Sequence, residues 1–287
     1  QQLQKLPEHT QQIVQLAACI GNRFDLSTLA IASETSQNDV AQSLWPAIAE
    51  GFIIPQDDIY KFYIGNESDS NESNISARKE SDLQETQSSP HVQQVTYCFL
   101  HDRVQQAAYS FIDNDLKQSV HLKIGERLLA YATQTDQQDN LFEIVNHLNV
   151  GIKFISDPSR REQLAQLNLS AGRKAKNTIA YAAALNYLST GIELLTGDCW
   201  EKQYTLTLTL HEAIAEAALL CGDFEQMERW AEQILTHTQT LLDQVNIYDL
   251  KIQACTSRHQ FLDSIEIATN ALQKLGLTIP EQPTQSD

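Results

Sequence analysis

Three times in the second half of this chain, an aromatic residue is followed by small or aliphatic residues three, seven and eleven positions on. Tyr181, Ala184, Leu188 and Ile192 recur as Phe224, Met227, Ala231 and Leu235, and again as Phe261, Ser264, Ala268 and Leu272, at offsets of 43 and 37 residues. Steps of three and four place such residues on one stripe of a helix. Each block follows another helical stretch (LNLSAGRKAKNTIA, YTLTLTLHEAIAEAALLCG and VNIYDLKIQACTSRHQ), so the repeating unit is a helix pair of about 40 residues. One pair cannot bury its own apolar stripe, and neighbouring pairs do so by stacking.

Stacked pairs with small residues at the close contacts predict a tetratricopeptide-like solenoid over residues 177–278. A plain helical bundle stays open as the alternative, because the period exceeds the usual 34 residues and the tryptophan and proline of that consensus are absent. Ahead of the pairs, Leu116, Val120, Ile124 and Leu128 step by four, Phe142, Val145 and Asn149 mark a second helix, and Asp157-Pro158 supplies a cap and first turn for a third. These linking helices are assigned to 113–176. Residues 279–287 read as a polar tail.

The first 112 residues have a different grammar. Helical spacing runs from about Leu6 to Ile20, a short helix follows Asp25, and a third carries Val40, Leu44, Trp45 and Ile48, with Pro46 inside it and Gly51 at its end. Two β-branched runs then follow, Phe52–Pro55 and Ile59–Ile64, joined by Gln56-Asp57-Asp58 as in a hairpin. A further strand, Val95–Leu100, comes after an insertion from Gly65 to Gln94 that holds seven serines and six acidic residues. With Ile75, Ala77, Leu83 and Val92 as its aliphatics, that insertion is expected to stay disordered. Three helices and a small β-wing predict a winged-helix domain at 1–112, and a mainly α fold for the whole chain.

At the junction of that last strand with the next helix stand His101, Asp102 and Arg103. Asp102 is expected to cap a helix beginning at Arg103, with Gln105 three residues on as in a capping box. His101 has two readings. It is either a strand-end histidine bonded to a backbone carbonyl or a nucleotide-sensing contact, and the second needs a phosphate supplied by another domain.

Charge narrows the function classes. The 287 residues carry 37 acidic against 20 basic side chains, a formal charge of −17. Between Arg23 and Lys61 there is no basic residue, while six acidic ones are present, so the third helix lacks the phosphate contacts a DNA reader needs. No nucleic-acid partner is expected, and protein partners are. Five dispersed cysteines suggest neither a disulfide framework nor a metal site, and a cytoplasmic location follows. No run approaches the roughly 18 apolar residues of a membrane span. Phosphate-loop, dinucleotide, zinc-protease and nucleophile-elbow motifs are absent, so no catalytic residues, metal ligands or bound cofactor are expected in this chain. His121, His147, His211 and His259 lie in helical stretches and read as helix-face or core histidines with satisfied partners. The basic cluster Arg160, Arg161, Arg173, Lys174 and Lys176 either faces the acidic rest of the chain or meets a phosphate. With Met227 its sole methionine, the chain reads as a segment of something longer.

The stretches LPEHTQQIVQLAACIGNRFDLSTLA, LWPAIAEGFIIP, FLHDRVQQAAYSFI, LNLSAGRKAKNTIAYAAALNYLSTGIELL and CGDFEQME together resemble the central region of bacterial multi-sensor signal-transduction kinases. In that family a serine/threonine kinase domain precedes an AAA-like ATPase of the signal-transduction (STAND) class, then a winged helix and tetratricopeptide-like helices, then GAF sensors and often a histidine kinase. The resemblance implies that this chain is the winged-helix and helical part, that ATP or ADP with Mg is bound elsewhere in the parent polypeptide, and that its partners are the upstream ATPase and the downstream sensor and kinase domains. It also implies that His101 could approach the phosphates of ADP held by that ATPase. The expected function is a non-catalytic relay between nucleotide state and kinase output. A winged-helix transcription regulator or a stand-alone tetratricopeptide adaptor are the alternatives.

Overall fold

The computed structural model describes residues 2–56, 60, 95–132 and 139–277. The fold is mainly helical, with one small three-stranded sheet. Its described residues form two compact units, one of residues 1–139 and 146–154, the other of 140–145 and 155–287.

In the first unit α1 (Glu8–Ile20) is followed by β1 (Arg23–Asp25), α2 (Leu26–Ser33), α3 (Gln37–Ala49), β2 (Ile53–Pro55), β3 (Thr96–Phe99) and α4 (Asp102–Ser110). The sheet order is β1-β3-β2, all antiparallel, with Phe24 opposite Tyr97 and Ile53 opposite Phe99. The third strand therefore lies in the middle. β1 was not foreseen from the sequence, whereas β2 and β3 fall inside the expected runs. The run Ile59–Ile64 and the insertion 65–94 lie outside the described residues, Tyr60 apart.

Period-2 burial sends Tyr97 and Phe99 into the core, where they meet Phe24 at ring-centroid distances of 5.8 and 5.6 Å. Val14, Ala17, Leu29, Val40 and Leu44 close over them from α1, α2 and α3. Asp25 caps α2 by accepting from the Thr28 N–H at 2.7 Å and the Thr28 hydroxyl at 2.6 Å, and Ser36 caps α3 by accepting from the Asp39 N–H at 3.2 Å. The exposed stripe of α3 consists of Asn38, Gln42, Trp45 and Ala49, with no basic side chain in it. Helix α5 (Asn114–Tyr131) also belongs to this unit. Its Arg127 pairs with Glu34 and donates to the Ala32 carbonyl, where Glu34 turns left-handed to end α2.

Helix α6 (Leu141–Val150) contributes its first half to the second unit and its second half to the first. The second unit continues with α7 (Pro158–Asn177), α8 (Tyr181–Leu194), the short α9 (Cys199–Lys202), α10 (Tyr204–Cys221), α11 (Phe224–His237), α12 (Val245–Ser257) and α13 (Phe261–Lys274). Helices α7 and α8, α10 and α11, and α12 and α13 pack as pairs, and the first helices of successive pairs touch one another. Where α8 crosses α7 the backbones come close: a Cβ at Gly172 would stand 2.6 Å from Leu188 Cγ.

The turn inside each pair is built the same way. Ile179, Gly222 and His259 have φ of 65°, 78° and 59°. The next residue's N–H then reaches back five positions: Ala180 to Ala175 O at 2.9 Å, Asp223 to Ala218 O at 3.0 Å, Gln260 to Cys255 O at 2.9 Å. This is the Schellman arrangement, which satisfies the orphan carbonyls at a helix end. The three left-handed residues repeat at the same 43 and 37 offsets as the apolar stripe. His259, read as helical from the sequence, is therefore a turn residue.

Candidate functional site

His101 lies two residues beyond the end of β3, in extended conformation (φ −150°, ψ 152°), and is exposed. Its carbonyl accepts from the Val104 N–H at 2.8 Å and the Gln105 N–H at 3.4 Å, which makes His101 the N-cap residue of α4, without any side-chain capping bond. The expected cap at Asp102 is thus corrected by one position: Asp102 is the first residue of the helix. There its negative charge suits the positive end of the helix dipole. Gln105 does not close a capping box, because its Nε2 donates to the Ala18 carbonyl at 2.8 Å and so ties α4 to α1.

Two expected core histidines meet in the first unit. His121 on α5 and His147 on α6 are both buried, with Nδ1 atoms 2.9 Å apart, and Tyr109 on α4 places its hydroxyl 3.2 Å from His121 Nε2. One Nδ1 carries the shared proton and the other accepts it. Burial pushes both rings down in pKa, and the neighbouring His121 helps bring His147 to about 4. The cluster is therefore neutral and structural at ordinary pH. Cys19, also buried, has its thiol pushed up to about 12 by burial and is inert as a nucleophile.

The second unit offers a surface of another kind. Helices α7, α10 and α12, the first members of the three pairs, line a groove of about 350 Å³. Arg173 and Lys176 mark the α7 side, Glu212 and Glu216 the middle, and Asp249 with Asn246 the α12 side. Lys176 pairs with Glu216 at 2.7 Å, and Asn246 donates to Glu212 at 3.0 Å. Burial raises the Glu212 carboxyl above its ordinary value, against that hydrogen bond. The groove is bipolar, basic on one side and acidic on the other. Its side chains suit the binding of a charged polypeptide segment better than bond-making chemistry.

The basic cluster proposed from sequence is taken apart by packing. Arg161 donates to the carbonyls of Leu194 at 3.0 Å, Glu193 at 3.1 Å and Ile155 at 3.3 Å, and Lys174 lies over the Phe142 ring. His211 is buried and donates from Nδ1 to Thr207 O at 2.7 Å, within an aromatic cluster formed with Trp200 and Trp230. Asn168, although it opens an N-x-S triplet, is fully buried and bonded to Leu164 O at 3.0 Å. Among the described residues, no group of three or more His, Cys, Asp or Glu is placed to hold a metal ion, and no helix is long and apolar enough to cross a membrane.

Comparison with known proteins connects the chain to signal transduction by kinases at the level of distant similarity. It is similar to the hybrid signal transduction histidine kinase G of Dictyostelium discoideum, 25% identical over 319 residues. That match takes in 96% of this chain and only 9% of the relative, so the chain spans less than a tenth of the length of the protein it resembles. No family model matches, and no solved structure matches.

Proposed function

We propose that this chain is a non-catalytic relay segment of an ATP-dependent signalling kinase. In this reading residues 1–112 are a winged-helix unit, with 65–94 inserted in its wing, and the helix pairs of 177–278 form a tetratricopeptide-like solenoid. The order helix, strand, helix, helix, strand, strand, with the last strand central, supports the first assignment. The second is supported by helix pairs that share one turn geometry. The winged helix packs on an upstream STAND-type ATPase that binds ATP or ADP with Mg, in the cytoplasm. The helix pairs pass its state, or that of a protein partner, to downstream sensor and kinase domains.

The observation that carries the proposal is the bipolar groove built by the first helix of each pair, which is the form of a polypeptide-binding surface. It is tested in the native polypeptide. Reversing the groove with Arg173→Glu and Asp249→Lys should abolish the dependence of kinase output on nucleotide while the circular dichroism spectrum stays unchanged; an unaltered nucleotide response sinks the relay. His101→Ala should weaken ADP binding in the same polypeptide, and an unchanged ADP affinity removes the nucleotide-sensing role.

A further inference from the structure

The first helix of each pair turns equivalent positions to the bipolar groove. Glu216 of α10 and Gln253 of α12 follow Arg173 of α7 at the same offsets of 43 and 37, and Asn246 and Asp249 stand 37 residues after Thr209 and Glu212. Steps of three and four separate these positions on one helix, so each helix contributes one stripe and the groove is a ladder of three stripes. Helix α10 is the middle rung, since it packs against both α7 and α12. Charge changes across the ladder in order: basic on α7 at Arg173 and Lys176, acidic on α10 at Glu212 and Glu216, acidic again on α12 at Asp249.

Pairing inside the groove cancels only part of that charge. Lys176 is engaged by Glu216, but Glu212 and Asp249 accept from the neutral amides of Asn246 at 3.0 Å and Gln253 at 2.7 Å, and Arg173 is exposed. Burial is the largest influence on the Glu212 carboxyl and disfavours its charged form, more than the Asn246 hydrogen bond and the Arg173 charge restore. A cation brought over α10 would relieve this. We propose that the groove takes an extended segment of a partner protein that crosses the three helices, with an acidic side chain over α7 and basic side chains over α10 and α12. This rests on reading the groove as a polypeptide-binding surface, and it states which polypeptide.

The spacing of the rungs selects a conformation. Packed helices stand about 8–10 Å apart, and a polyproline II segment presents the same face every three residues, after about 9 Å. Its acidic residue is therefore flanked, on one side, by basic residues about three and six positions away. A β-strand alternates faces at every residue and would turn the middle one of these away. Polyproline II leaves its backbone N–H and C=O groups unpaired, and the amides of Asn246 and Gln253 keep donors and acceptors for them. Other occupants fit the charges poorly. A polyanion would meet Glu212, Glu216 and Asp249, residues 278–287 hold Glu281 and Asp287 but no Lys or Arg, and a second copy carries the same −17.

The probes are fluorescein-labelled peptides, GESPKSPKG and its opposite-direction form GKPSKPSEG, titrated with the 287-residue protein at low salt and followed by anisotropy. One of the two should bind saturably, and its charge-reversed form (GKSPESPEG or GEPSEPSKG) about tenfold more weakly or less. Arg173→Glu with Asp249→Lys should cancel that preference or turn it round. Both residues are exposed, so the far-UV spectrum should not change. Absence of saturable binding in both directions, equal binding of the charge-reversed peptide, or a preference untouched by the double variant overturns the proposal. Binding that emerges only after deletion of residues 65–94 would make that insertion the occupant, and a dimer in light scattering that the double variant dissolves would make it a second copy; either overturns it. Charge-selective binding beside an unaltered nucleotide response sinks the relay alone. A nucleotide response abolished by the double variant, without charge-selective binding, sinks this proposal alone.

Discussion

Replacing Ile179 by glycine should stabilise the second unit, although it deletes an aliphatic side chain. The residue sits at φ 65° in the turn between α7 and α8, in the left-handed region where a Cβ is crowded by the following carbonyl. That conformation costs an L residue about 1–2 kcal/mol, and a β-branched one more than most. Ile179 recovers little of this by packing, since it is 73% exposed. Glycine removes the strain but adds freedom to the unfolded chain, which costs about 0.5–1 kcal/mol. The net expectation is a gain of about 0.5–1 kcal/mol, or roughly 2–4 °C in melting temperature for a unit of this size.

The reverse experiment is available in the same protein. Gly222 occupies the equivalent turn at φ 78°, and a Cβ there would meet nothing within 4 Å, so Gly222→Ala isolates the backbone cost without a clash. It should destabilise by about 1 kcal/mol. Thermal melts and urea titrations of both variants check the pair. A destabilised Ile179→Gly together with a neutral Gly222→Ala would refute the reasoning, because it would mean that local packing and not backbone geometry sets the stability of these turns.

Acid should weaken the first unit through His147. Unfolded, its ring titrates near 6.5, and folded near 4, so the stabilisation is complete above pH 6.5 and is lost as pH falls towards 4, by about 2–3 kcal/mol between pH 7 and 4.5. Urea midpoints across that range should show the decline, and His147→Phe should flatten it. Gly172→Ala should destabilise by about 1–2 kcal/mol, since the collision with Leu188 outweighs the better helix propensity of alanine; a more stable variant in thermal melts would show that α8 can retreat at no cost. Asp25→Ala removes the cap of α2 and should cost about 1–2 kcal/mol, read from urea unfolding, with Asp25→Asn recovering part of it.

The helix pairs were legible because each repeats an aromatic and three apolar positions at helical spacing, and the Gly222 turn could be anticipated from its glycine. The same turn at Ile179 could not, since a β-branched residue argues against a left-handed backbone, and at His259 the residue type is only a weak signal for one. β1 escaped notice for a related reason: Arg23, Phe24 and Asp25 give one apolar residue and no alternation, and the strand exists only through pairing with β3 about 70 residues later. Asp102 was misplaced by one position because an acidic residue three before a glutamine looks the same whether it caps the helix or begins it, and Gln105 had a distant partner in Ala18. His121, His147 and His211, read from the sequence as helix-face or core residues, all lie in the core. That the first two would meet could not be read from positions 26 residues apart on separate helices.

The central place of β3 also dictates a schedule for folding. Its partners lie about 70 residues back in β1 and about 45 back in β2, so none of the strand pairings among the described residues can form until the chain has been made as far as Phe99, and closing those long loops is slow. Until then no strand among the described residues pairs with Phe24 or Ile53, and their edges are open to wrong pairings. The helix pairs face no such wait, because each turn joins helices that are neighbours in sequence and any pair can nucleate the stack. During synthesis the first unit is therefore the one that needs protection, and its lag should lengthen as residues are added between Pro55 and Thr96.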